Sequence, residues 1–187
     1  MSIMIIQKSK QKIICISQLE HAKLASNLLI QLKAYQHLQS TQKTALYNAT
    51  YFHDHGWDPY ETNPMYQKNS LIPLDFTEIP TSTHIKIWTT SRTLINSQEK
   101  LTKYLICTHN IYLANIRKNN ANNKKDKQEL SLFLNIEKKI QLTLKNLLSK
   151  LHPTTELNEL SHLLKLADWM SLTLCLNKKI PYVSFNT

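Results

Sequence analysis

Residues 154–176 read TTELNELSHLLKLADWMSLTLCL, and one aspartate in that run decides how the rest of the chain is understood. Leu160, Leu164, Leu172 and Cys175 recur at helical spacing on one face, and Asp168 lies in line with them. A carboxylate buried without a partner costs several kcal/mol, on the order of a whole domain's stability. Asp168 therefore needs compensation from elsewhere in the chain: a lysine, a protonated histidine or a shared metal ion.

Helical periodicity extends well beyond this run. One glycine and six prolines in 187 residues are too few for the tight turns of a sandwich or barrel. The expected fold class is mainly α: a single domain, 1–187, of about six helices with a small N-terminal β-hairpin. SIMIIQ and KIICIS around KSKQ read as that hairpin, within 1–16. The helical core is expected over 17–176. Ser17 with Glu20 makes a capping box that opens a helix running to about Leu38. TQKTALYNATYFHDH predicts a second helix from Thr41, ending at Gly56 in the left-handed position that closes many helices. From Trp57 to Pro80 no period is sustained, which suits a binding loop or lid. Further helices are predicted over 81–96, 98–117, 127–150 and 154–176. RKNNANNKKDK reads as a solvated, mobile loop over 117–127, with a phosphate-contacting arm as the alternative, and 177–187 as a tail or a strand that joins the hairpin.

A formal charge of +10 raises the question of nucleic acid. The type of cation argues against it: of 23 basic residues only Arg92 and Arg117 are arginine, whereas planar phosphate recognition favours the guanidinium fork. Three scattered cysteines, Cys15, Cys107 and Cys175, form neither a disulfide ladder nor a Cys-x-x-Cys metal knuckle. They suit a reducing compartment. The N-terminal apolar runs are broken by Lys and Gln and are too short for a signal peptide or a membrane span. The expectation is a cytoplasmic protein with no membrane association.

Four other polar residues share the predicament of Asp168. His21 lies on the helix face of Leu24, Ala25, Leu28 and Leu32, and His53 on that of Leu46 and Ala49, with Asp54 beside it. His109 faces the way of Leu105, Tyr112, Leu113 and Ile116. Taken singly, a core histidine bonded to a backbone carbonyl is the plainer reading. Several such residues on different helices are better explained by one convergent site, because helix bundles assemble metal ligands in this way.

The order His21, then His53-Asp54, then a distant Asp168 resembles the HD-domain superfamily of helical metal-dependent phosphohydrolases. The flanking words QLEHAKLA, HDHGW, PLDF, THNIYL and DWMSLTLCL resemble, over about residues 13 to 176, a bacterial family of uncharacterised domains, domain-of-unknown-function family 3891, with HD-like character. Departures are His55, where that family usually has an acid or amide, and the absence of a glycine before PLDF. Family members commonly continue with further strands, so the resemblance implies a trimmed version.

The resemblance implies that His21, His53, Asp54 and Asp168 ligate a divalent transition metal, Mn, Fe, Zn, Co or Ni, as one or two ions. His109 and His84 are the candidate catalytic residues, to hold a second metal, orient substrate or move protons. The implied activity is hydrolysis of a small phosphorylated substrate, with a nucleotide as one option. Trp57 and Trp88 are candidates to wall the pocket, Lys165 and Arg92 to hold phosphate, and Asp75 to orient a ligand or cap a turn. The alternatives are a non-catalytic metal or ligand-binding protein, a two-iron HD-type oxygenase and a basic RNA-binding helical protein.

Overall fold

A computed structural model describes residues 5–8 and 13–176, and the expected C-terminal strand lies outside them. Strands β1 (Ile5–Lys8) and β2 (Ile13–Ile16) pair antiparallel with Ile5 opposite Ile16. The helices follow: α1 Gln18–Leu29, α2 Lys33–Gln36, α3 Ser40–Phe52, α4 Asp58–Thr62, α5 Thr81–Thr93, α6 Lys100–Asn120, α7 Lys124–Leu148 and α8 Thr154–Cys175. The fold is mainly α, with six long helices and two short ones among the described residues, as the periodicity predicted.

The core forms where α1, α3, α6 and α8 meet. Leu29, Leu46, Leu105, Leu157, Leu160 and Leu164 are fully buried there. Each such side chain is worth about 1.5–3 kcal/mol of transfer free energy. A second cluster packs Trp88 of α5 against Ala114 of α6 and Leu130, Phe133 and Leu134 of α7. A third seats Trp57 against Ile79 and Ile87.

Two expectations are corrected. The first helix does not reach Leu38: it stops at Leu29, and Leu32 is extended with ψ 131°. No Gly or Pro marks the break. Instead the Gln36 Nε2 donates to the Ile30 carbonyl at 2.6 Å, replacing a lost helical bond. The redirected chain lays Leu32, Tyr35 and Leu38 on the core. The burial gained by those three side chains offsets the interrupted helix.

Gly56 is the second correction. Its φ is not positive, and it lies inside a 3-10 turn, His55–Trp57. A Cβ at this position would sit 2.0 Å from the carbonyl oxygen of Ile87. The chain's one glycine therefore serves close approach rather than helix termination. It lets the turn touch α5, where its N–H donates to Ser91 Oγ at 2.8 Å. The left-handed position falls to Asn69, φ 58°, in the loop before α5.

Candidate metal centre

Three helices and the end of a fourth bring the four expected ligands and the catalytic candidate His109 to one place. α1 carries His21, His53 caps the C-terminus of α3, Asp54 heads the 3-10 turn, α6 carries His109 and α8 carries Asp168. His21 Nε2 lies 2.8 Å from Asp168 Oδ1 and 3.7 Å from Asp54 Oδ2. His53 Nε2 lies 3.2 Å from Asp54 Oδ2 and 3.4 Å from Asp168 Oδ1. His109 Nε2 approaches the other oxygen, Asp168 Oδ2, at 3.5 Å. Two sets of ligand atoms, His21 with His53 and Asp54, and His53 with His109 and Asp168, each fall within 4.8 Å of one another and could hold a metal ion.

The hydrogen bonds behind the imidazoles settle their orientation. The Thr50 carbonyl can only accept, so at 2.7 Å it takes the proton of His53 Nδ1. The Ser171 hydroxyl donates to the His21 carbonyl at 2.8 Å, so its oxygen accepts from His21 Nδ1 at 2.9 Å. With both Nδ1 atoms engaged, both Nε2 atoms turn toward the carboxylates. This is the arrangement by which second partners aim histidine at a metal.

The charges of the cluster hold one another. Burial opposes protonation of His21, but its hydrogen bond to Asp168 and the charges of Asp168 and Asp54 raise it to about 9. His53 is likewise raised against its burial, chiefly by Asp54. Asp168 is held well below the usual carboxylate range against its burial, through the hydrogen bond from His21 and the close charge of His53. Asp54 is lowered in the same way by His53. His109 goes the opposite way: burial pushes it down to about 4.

A divalent transition ion fits this donor set. His53 Nε2 and both nitrogens of His109 are buried with no hydrogen-bond partner. Such orphans are rare in folded proteins and call for an explanation. Two carboxylates balance the charge of a divalent cation, and the Nε2 atoms offer it lone pairs once it displaces their protons.

The other sequence candidates are dispersed. His84 joins neither set; it stacks on Trp88, with ring centroids 5.1 Å apart, and meets Trp57 edge-on at 5.4 Å. Burial and the nearby Arg117 lower it to about 3. His55 packs on Tyr51 and Phe52 of α3. Asp75 accepts from Thr77 and from the Ile6 N–H, tying the loop to β1 rather than to the centre. Arg92 is spent on Glu137, and Lys165 Nζ stands over the Tyr112 ring at 4.6 Å. Neither Arg92 nor Lys165 lines the cavity beside the ligands.

That cavity, about 480 Å³, runs from His21, His53, Asp54 and Asp168 past His84 to Arg117. Its far wall is built by Asn120–Asn123, inside the segment expected to be a solvated loop. α6 continues through Arg117 to Asn120, and Asn123 caps α7 by accepting from the Asp126 N–H at 2.8 Å. Sequence reasoning missed this wall and the two orienting groups, Thr50 and Ser171. The available signals were a rare arginine in a lysine-rich chain and a serine one turn beyond Asp168.

Comparison with known proteins agrees with the quoted motifs. Residues 4–184 match the family described as Protein of unknown function (DUF3891). The chain belongs to that family. Neither a curated protein nor a solved structure matches it. Among the described residues of this DUF3891 protein, no helix is long and apolar enough to cross a membrane.

Proposed function

We propose that this DUF3891 protein is a cytoplasmic, metal-dependent hydrolase of HD type that cleaves a phosphate ester of a small molecule. The observation that carries the reading is the aiming of His21 and His53 Nε2, with Asp54 and Asp168, into one end of a cavity. A mixed nitrogen and oxygen set suits Mn, Fe, Zn, Co or Ni better than an all-oxygen Mg or Ca cage. When bound, such an ion supplies Lewis acidity toward a phosphoryl oxygen and activates water near neutral pH.

The remaining work belongs to the chain. Thr50 and Ser171 keep the two imidazoles in register. His109 faces the second oxygen of Asp168 from the α6 side, its Nε2 3.5 Å away and without a hydrogen-bond partner. Apolar walls from the buried Trp57 and the half-buried Phe76 and Leu172 limit the water around a bound ester. His84 lines the cavity beyond the ligands, where its ring can contact substrate.

His109 and Asp168, beside the first set, favour one other reading: a two-iron HD-type oxygenase in which they serve a second ion while His53 serves the first. Protein purified without added metal separates the readings. Elemental analysis is expected to find about one or two transition ions per chain. A panel of nucleotides and phosphomonoesters, supplied with each candidate metal, is expected to release phosphate. Both signals should vanish in the double variant His53→Ala, Asp54→Ala. Stoichiometric metal in that variant would refute the site, and oxygen uptake without phosphate release would replace hydrolysis by oxidation.

A further inference from the structure

The cavity extends well beyond the ligands, and its opposite end contains a guanidinium. Arg117 Nη2 donates to the Ile79 carbonyl at 2.6 Å and Nε to Thr81 Oγ1 at 3.2 Å. Both partners are neutral, and Nη1 donates to no protein group among the described residues. The carboxylate whose charge reaches Arg117 is Asp126, itself bonded to Asn123 Nδ2 at 2.9 Å. A half-buried guanidinium, aimed by neutral acceptors and lining a cavity, is completed most favourably by an anion that uses its free fork.

His84 is a second, independent feature of this end. It is buried, lines the cavity, and its Nδ1 has no hydrogen-bond partner. It lies within electrostatic reach of both Arg117 and Asp54. By stacking on Trp88 it also covers the ring face that a base would need. The aromatic wall therefore narrows the space between two charged ends instead of offering a slot for a flat ring.

From this placement we infer that the substrate carries a second anionic group, phosphate or carboxylate, remote from the cleaved ester, and that Arg117 binds it with His84 alongside. The inference rests on the hydrolase reading for the first anion alone. Arg117 is a specificity residue in this account: an ester with a neutral tail leaves its fork unmet, and one with a charged tail fills both ends.

Titration calorimetry on metal-loaded protein tests it with three unreactive probes: methylphosphonate, a propane bisphosphonate with one phosphonate at each end, and a phosphonopropionate. One or both of the doubly anionic probes should bind about tenfold or more tighter than methylphosphonate. The tighter of the two names the second anion. Arg117→Met should abolish that advantage while leaving metal content and methylphosphonate affinity unchanged, and Arg117→Lys should restore part of it. Equal binding of all three probes by the wild-type protein, or an undiminished advantage in Arg117→Met, overturns the inference.

Should Arg117→Met fail to fold, a wild-type series of bisphosphonates of increasing length decides: affinity must peak at one spacing, and a flat series refutes a second site. The two readings fail separately. Arg117-dependent binding with no ester hydrolysed by the protein removes the hydrolase and keeps the anion site. Turnover indifferent to Arg117 does the reverse.

Discussion

Two clusters of polar side chains are buried in this bundle, and they are satisfied to different degrees. Between α5, α6 and α7, the fully buried Glu137 accepts from Arg92 Nε at 2.9 and 3.1 Å and from Asn110 Nδ2 at 3.2 Å. Asn110 Nδ2 also donates to the Trp88 carbonyl, and Cys107 Sγ donates to the Glu137 carbonyl. Asn110 Oδ1 is the one atom of that network left without a partner. Between α1, α3, α6 and α8, the histidine and aspartate cluster leaves three ring nitrogens on His53 and His109 unpartnered. The first cluster uses its polarity to join helices. The second keeps donor atoms in reserve, at the end of a cavity, where a ligand can use them.

The largest way to break this contrast is Glu137→Ala, which strands the Arg92 guanidinium in the interior. Removing one partner of a buried pair costs about 3–5 kcal/mol. Urea unfolding should show that loss, while the protein still folded keeps its metal content. Metal removal tests the other cluster. At a hundredfold excess over Kd a bound ion stabilises by about 2.7 kcal/mol. Chelation should lower the melting temperature of the wild type accordingly and leave Asp168→Asn unchanged. A chelator effect on Asp168→Asn equal to that on the wild type would place the ion elsewhere.

Gly56→Ala probes how the second cluster is seated. Its new Cβ meets the Ile87 carbonyl, and overpacking of this kind costs about 1–3 kcal/mol. Because Asp54 lies two residues before Gly56, metal affinity should fall along with stability, although glycine is not a ligand. Ser171→Ala is the mildest change, with a stability loss of about 1 kcal/mol. Its signature lies in affinity: loss of an orienting partner typically weakens metal binding about ten- to a hundredfold. Unchanged affinity in Ser171→Ala would show that His21 is aimed by packing alone.

Much of this was legible before any coordinates. Helical periodicity located the six long helices, because an apolar stripe must find a core whichever neighbour supplies it. His21, His53, Asp54, His109 and Asp168 stood out for the same reason in reverse, as polar residues on faces destined for burial. The break after Leu29 was illegible, since it depends on the Gln36 side chain and on burial of Leu32, Tyr35 and Leu38 rather than on a breaker residue. The burial of Glu137 was illegible too, since it depends on α5 and α6 closing over it.

By itself, then, the sequence determined the helical class, the family and the residue types available for a site, since local periodicity and residue chemistry are properties of short segments. Tertiary structure alone decided which polar groups are spent and which are free. Arg92 and Arg117 show the difference: two arginines in similar helical settings, one consumed by a buried carboxylate and the other left facing a cavity. Gly56 shows it as well, for the carbonyl that excludes any side chain there belongs to Ile87, on another helix. A hydrogen bond or a steric limit between distant segments exists only once packing has brought them together, and the chemistry of the site follows from those meetings.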